Sequence, residues 1–380
     1  MNTGNNEANN NTVSITNHTE LAELSELIGS MSESGPVMGN TLTISDSILS
    51  NETNEDGFLV RGSLGETEAA NNNLYITNSI LSGLQLLYGA SGYSDVYNNT
   101  EVLTNATITD TYRILGNAGG YAHDNAFSII GGSLTFSDGL LVGTVGEIEA
   151  TQNTMTLSQT NISGAATIYG GYSNTTVSDN AVTISDTTIS NIANDDGTTI
   201  AAGVSTWGRQ RLKMIRPGAD DNSIYIDGGS VDVSRIYGGW LQDSGTDVEG
   251  TTNSNTVSIG EGVTAGTVIG GNNELGGSSS KNTVTINGGT VEENVVAGQT
   301  TAGDASGNTL DIYDGTIGTT DAVDEDGNLI AAGYTKDGAA DSNTVNVYGG
   351  TLGVMMSLYG GYTPTDKAKS TNNTLNLYTK

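Results

Sequence analysis

Four of the chain's twelve basic residues, Arg209, Arg211, Lys213 and Arg216, crowd into one short stretch. Trp207 stands just before them. Guanidinium groups offer paired N–H donors that fit carboxylates and other oxyanions. As a strand, this stretch would place Arg209, Arg211 and Lys213 on one face and Leu212 and Met214 on the other. The second of the two tryptophans, Trp240, falls one repeat later at an equivalent corner. Trp207, Arg209, Arg211, Lys213, Arg216 and Trp240 are therefore the candidate ligand-binding set, suited to an anionic glycan or an acidic protein surface. The competing account is local neutralisation by Asp195, Asp196, Asp220 and Asp221.

Other chemistry is weaker. Asp321, Asp324 and Asp326 resemble a calcium loop, but Gly327 comes too early for an EF-hand. A plain Asp-Gly hairpin explains them better, as it does Asp56-Gly57 and Asp196-Gly197. A lyase would need carboxylates beside Arg209, Arg211 or Arg216, and the spacing assigns none. Asp243-Ser244-Gly245 lacks a nearby base, because the two histidines are His18 and His123. Tyr169, Tyr237 and Tyr359 precede Gly-Gly corners and form either a sugar-stacking stripe or a structural column. No catalytic residue, metal or cofactor is expected.

What positions all of this is a repeat. Asn282-Thr-Val-Thr-Ile-Asn-Gly-Gly-Thr-Val and Asn343-Thr-Val-Asn-Val-Tyr-Gly-Gly-Thr-Leu are its clearest copies. Similar copies open at Asn11, Asn40, Asn73, Asn99, Asn125, Asn153, Asn180, Asn222, Asn255, Asn308 and Asn373. A recurring period of this kind marks a solenoid or propeller. Val284 and Ile286 alternate with Thr283 and Thr285, the period-2 pattern of a half-buried strand. Gly288-Gly289 makes a corner, and Val291 and Val295-Val296 open two further strands. Most copies are too short for a four-stranded propeller blade. The expected fold is all-β, a single-stranded parallel β-helix of about 12 coils. Its opening asparagines would stack and hydrogen-bond along the pile.

Composition narrows the function. Formal charge is −31, from 43 acidic and 12 basic residues. That argues against nucleic-acid partners, which need a basic footprint. There is no cysteine, so neither disulfides nor thiol chemistry arise. No 18-residue apolar span and no signal peptide after Met1 are visible. Residues 1–39 read as a lead-in and first coil. There Leu21, Leu24, Leu27, Ile28 and Met31 have helical spacing behind a Thr19 N-cap, which predicts a capping helix. Residues 40–380 read as continuous β-helix repeats without linkers. The last coil opens at Asn373 and is incomplete, as in a fragment of a longer protein.

Repeats of the form Asn-Thr-Val-x-Ile-x-Gly-Gly-x-Val, closing in Tyr-Gly-Gly, resemble the passenger region of bacterial autotransporters (type V secretion) over residues 11–380. That resemblance implies a right-handed parallel β-helix, extracellular, on the surface of a Gram-negative cell. It also implies outer-membrane anchoring through a C-terminal barrel not present in this sequence. The expected function is non-catalytic: an adhesin, or a display stalk, meeting a host-cell or bacterial surface glycan or protein. A carbohydrate-active β-helical enzyme and a pure spacer are the alternatives.

Overall fold

The computed structural model describes residues 7–51, 57–192, 197–206, 217–242, 249–318, 328–353, 356–365 and 369–378. Every regular element among them is a strand, and no helix occurs. Parallel strands stack as a β-solenoid of about 12 turns, as the repeat predicts. The chain divides into two compact units, Met1–Tyr172 with Asp186–Ala193, and Ser173–Ser185 with Asn194–Lys380.

In the first unit, Thr41–Ser45, Asn73–Thr77, Thr100–Thr104, Ala126–Ile130 and Thr154–Ser158 pair in parallel, each in register with the next. Alternation then sorts the side chains. Ile44, Ile76, Leu103, Ile129 and Leu157 fill the interior, while threonines and serines between them face outward. In the second unit the same column runs through Thr256–Ile259, Thr283–Ile286, Thr309–Ile312 and Thr344–Val347. Val257, Ile259, Val284, Ile286, Leu310, Ile312 and Val345 are completely buried there. Each such side chain contributes about 1.5–3 kcal/mol when taken out of water.

The coil is more elaborate than three strands. A short fourth strand leads into the next opening asparagine, seen at Val37–Met38, Ala69–Ala70 and Asp95–Tyr97. It buries Val37, Ala69 and Val96 against Ala90 and Ala122. Elsewhere strands run through the corners, as in Thr107–His123 and Ser223–Gln242.

The asparagine stack is present in both units. In the first, the amides of Asn11, Asn40, Asn72, Asn99 and Asn125 donate to the Oδ1 of Asn40, Asn72, Asn99, Asn125 and Asn153 in turn, at 2.9–3.1 Å. In the second the ladder runs Asn180, Asn222, Asn255, Asn282, Asn308, Asn343 and Asn373. Each Oδ1 also accepts from the backbone N–H of the preceding asparagine, as Asn282 does from Asn255 at 2.9 Å. The copy expected to open at Asn73 opens at Asn72. Three asparagines in a row hide the register, and Asn73 takes the first strand position, opposite Thr41 and Thr100.

The residue before each ladder asparagine turns the chain through the left-handed region. Asn71, Asn98, Asp124, Gln152, Asp221, Ser254 and Lys281 all have φ between 52° and 60°. Asn and Asp tolerate this because their short side chains bond locally, whereas other L-residues are strained by about 1–2 kcal/mol. Lys281 is exposed and strained, with φ 60°. Lys281→Asn is therefore expected to stabilise the protein by about 1 kcal/mol in urea denaturation. An unchanged or lower midpoint would refute the strain.

The helix expected over residues 19–31 does not form. Glu20–Leu21 and Glu26–Ser32 are strands. Leu27 pairs with Val60 and Met31 with Leu64 in the neighbouring coil. A helix here would strip the strand Phe58–Gly65 of its partner on that side, and backbone pairing outweighs a weak helical preference. Glu23, at φ 57°, places a corner in the middle of the supposed helix. Met31 is 48% exposed while Ser30 and Ser32 are buried, which no helical stripe would allow.

Candidate functional site

One bend recurs in every fully described turn and shapes the outer surface. In Arg61-Gly62-Ser63-Leu64 the middle residues are buried and the flanking two face out. Tyr88-Gly89-Ala90-Ser91 and Leu115-Gly116-Asn117-Ala118 lie beside it in register. The first middle position must be small, because a Cβ on Gly62 would meet the Gly89 carbonyl oxygen at 2.2 Å. In the second unit a Cβ on Gly239 would come within 2.6 Å of the Asn255 ladder amide. In the Arg61 and Tyr88 coils the two flanking residues are partly exposed, whereas Ala201 and Val204, and Ile269 and Asn272, are buried at the same positions of the second unit.

Where both are aromatic, the rings meet across the bend. Ring centres lie 6.4 Å apart for Tyr169 and Tyr172, 4.7 Å for Tyr237 and Trp240, and 4.6 Å for Tyr359 and Tyr362. Tyr237 and Tyr359 do share one column, but Ile269, Val296 and Ala331 separate them. The tyrosines before Gly-Gly corners are therefore not a continuous stripe. Their partners, three residues on, were visible in the sequence as a second aromatic after Gly-Gly.

Trp240 is the one member of the expected ligand set among the described residues. Its indole N–H donates to Glu274 at 2.8 Å, and its ring packs on Tyr237. Burial pushes the Tyr237 hydroxyl up to about 12, with Arg235 opposing and Glu274 adding to the shift. Trp240 is therefore anchored, with one edge left partly open. Trp207, Arg209, Arg211, Lys213 and Arg216 lie outside the described residues, as do Asp195, Asp196, Asp243, Ser244, Asp321, Asp324 and Asp326. Asp220, expected as a neutralising partner, accepts bonds from the Thr251 hydroxyl and the Asn253 N–H, both at 2.6 Å. Burial raises its pKa, and those two bonds counteract the rise. His123 stacks on Tyr97 at 5.2 Å and contacts Asp124, so it is tied into the coil wall. His18 lines a separate hollow with Glu20 and Asp46.

Two adjoining hollows lie along the bend of the first unit. One, of about 330 Å³, is lined by residues including Arg61, Tyr88, Tyr93 and Glu147. The other, of about 360 Å³, is lined by residues including Arg113, Val142, Tyr169 and Tyr172. Leu115 and Val145 belong to both, which makes them one groove.

Among the described residues, one fully buried carboxyl interrupts the apolar interior. Glu101 pairs with Leu74 on one side and Phe127 on the other and is fully buried. Neither of its carboxyl oxygens has a hydrogen-bond partner. Burial alone pushes its pKa well above the usual carboxylate range. Its signal was present in Asn99-Thr-Glu-Val-Leu, where Glu occupies the position that Leu74 and Phe127 take in neighbouring copies.

No protein-family model, curated protein or solved structure matches this chain.

Proposed function

We propose that this chain is the extracellular, non-catalytic β-helix of an autotransporter-like adhesin, held at a Gram-negative cell surface and mediating adhesion or displaying a binding region. The observation that carries this reading is how the coil spends its residues. Apolar side chains fill the interior and asparagine amides satisfy the backbone between coils. Variable chemistry is left to outward positions, such as the aromatic pairs flanking the Gly-Gly bends. That is the economy of a repeat scaffold whose neighbours support one another and whose surface can vary. The repeat motif supports the autotransporter assignment, and the basic stretch Trp207 to Arg216, one repeat before Trp240 in the sequence, is the proposed contact for a surface glycan or acidic protein.

The test compares the intact chain with a variant carrying Arg209→Ala, Arg211→Ala, Lys213→Ala and Arg216→Ala on glycan arrays and host cells. Binding by the intact chain and its loss in the variant, by about tenfold or more in affinity, is expected for charge-assisted contacts. No binding by the intact, folded chain would overturn the adhesive reading in favour of a stalk. Cleavage of a bound polysaccharide would instead establish the β-helical enzyme.

A further inference from the structure

The groove of the first unit points to a second ligand, besides the one proposed for the Trp207–Arg216 stretch. Arg61 and Arg113 are the only Lys or Arg residues in the sequence of Met1–Tyr172 and Asp186–Ala193, among many carboxylates. Cations placed merely to relieve acidic repulsion would be scattered. Both of these line the same groove.

Their surroundings keep them available. Arg113 lies over the Tyr112 ring, with its guanidinium carbon 4.9 Å from the ring centre. It has no ion-pair partner among the described residues. Arg61 lies 5.9 Å from the centre of the Tyr88 ring. Its Nε is 3.4 Å from Glu26, a contact at the long end for an ion pair, and both side chains are partly exposed. Aromatic rings thus lie against both guanidinium groups: Arg113 is exposed, whereas the Arg61 Nε–H is buried and only the rest of that partly exposed side chain can meet an incoming oxyanion. The arginines belong to coils two steps apart, about 10 Å along the stack.

The rest of the groove selects the kind of anion. Tyr88 and Tyr169 stand on one wall, Tyr172 faces Tyr169, and Leu115 and Val145 join the two hollows. Tyrosine rings and aliphatic groups suit the apolar faces of sugars, and Ser91 and Glu147 at the same groove can bond hydroxyls. An acidic peptide fits less well. The wall strands are paired with the coils on either side, so the groove offers no open edge for a peptide backbone.

We propose that this groove binds a carboxylated polysaccharide, a chain of uronic-acid sugars lying along the coils, with its carboxylates on Arg61 and Arg113. This deepens the adhesive reading and rests on it for its biological setting. A polymer with a carboxylate on every sugar presents one to each arginine.

The experiment is calorimetric titration of the intact chain with oligogalacturonate, neutral maltooligosaccharide and polyglutamate. Oligogalacturonate is expected to bind, more weakly as salt is raised, and the other two are not. Arg61→Gln and Arg113→Gln should each weaken binding by about tenfold. Arg113→Gln, which removes only a surface ring contact, keeps the test valid should loss of the Glu26 contact perturb folding in Arg61→Gln. The proposal falls if oligogalacturonate does not bind, if Arg113→Gln binds it unchanged, or if polyglutamate binds equally well. The four-alanine variant of residues 209–216 separates the two ideas. Oligogalacturonate binding retained in that variant supports the groove, and binding lost there overturns it in favour of the basic stretch. Cell binding without oligogalacturonate binding leaves the adhesive reading standing and this proposal refuted. Oligogalacturonate binding without cell binding does the reverse.

Discussion

Asn255→Ala is expected to destabilise the second unit by about 3–5 kcal/mol. Asn255 Oδ1 accepts from the backbone N–H of Asn222 at 3.0 Å and from its side-chain amide at 3.2 Å. Asn255 Nδ2 in turn donates to the Ala219 carbonyl at 2.8 Å and to Asn282 Oδ1 at 3.1 Å. Alanine would strand several buried groups at once, each costing about 1–3 kcal/mol when it loses its partner without regaining water. Asn255→Asp should be no better. The side chain keeps its acceptors but loses its donor, and sets a carboxylate oxygen against the Ala219 carbonyl and Asn282 Oδ1. Urea denaturation followed by circular dichroism measures both. A loss under about 1 kcal/mol for the alanine variant would mean that the ladder is ornament on a stack held by other forces.

Glu101→Leu is expected to do the opposite and stabilise the first unit, by about 2 kcal/mol or more near neutral pH. The carboxyl is fully buried without a hydrogen-bond partner, and leucine already fills the equivalent place at Leu74. The pH dependence has a definite sign. Burial raises the folded-state pKa above the ordinary value of 4.5. Between the two values the folded protein holds a proton that the unfolded chain releases, so stability falls as pH rises. The contribution is intact below the ordinary value and lost progressively up to the folded one. The gain from Glu101→Leu should therefore be smallest near about pH 4 and larger near about pH 8. A gain independent of pH would show that Glu101 finds a charge partner or water in solution.

Much of this fold is written in alternation. Val284 and Ile286 between threonines could be assigned to a strand with an inner face because burial and period-2 spacing coincide there, as they do in Thr41–Ser45, Thr256–Ile259 and Thr309–Ile312. Glu101 could be assigned to the core by the same frame. The left-handed corners are harder to see, since Gln152, Ser254 and Lys281 carry no glycine to announce them. The slip from Asn72 to Asn73 has a related cause. Register is set by which asparagine follows the left-handed residue, and the triplet Asn71-Asn72-Asn73 leaves that open. The false helix arose because Leu21, Leu24, Leu27, Ile28 and Met31 satisfy helical spacing by accident, while pairing with Phe58–Gly65 is a long-range fact that no local window contains. At the candidate site, Trp240 stands out in the sequence as an aromatic that follows Gly238-Gly239. Its tie to Glu274, 34 residues away, depends on coil stacking and could not be read locally. The groove arginines leave no local signal, because Arg61 and Arg113 are far apart in sequence and are brought together only by the coil register.

The asparagine ladder also has a direction. Within each unit's ladder, every rung between the two ends gives two hydrogens toward the coil that follows and receives two from the coil that came before, as Asn255 does. A coil presented in reverse order would set donor against donor on one side and oxygen against oxygen on the other. The sense in which coils succeed one another is thus encoded in side chains as well as in chain connectivity. Such a stack resembles a zipper with a defined head and tail more than a pile of interchangeable discs.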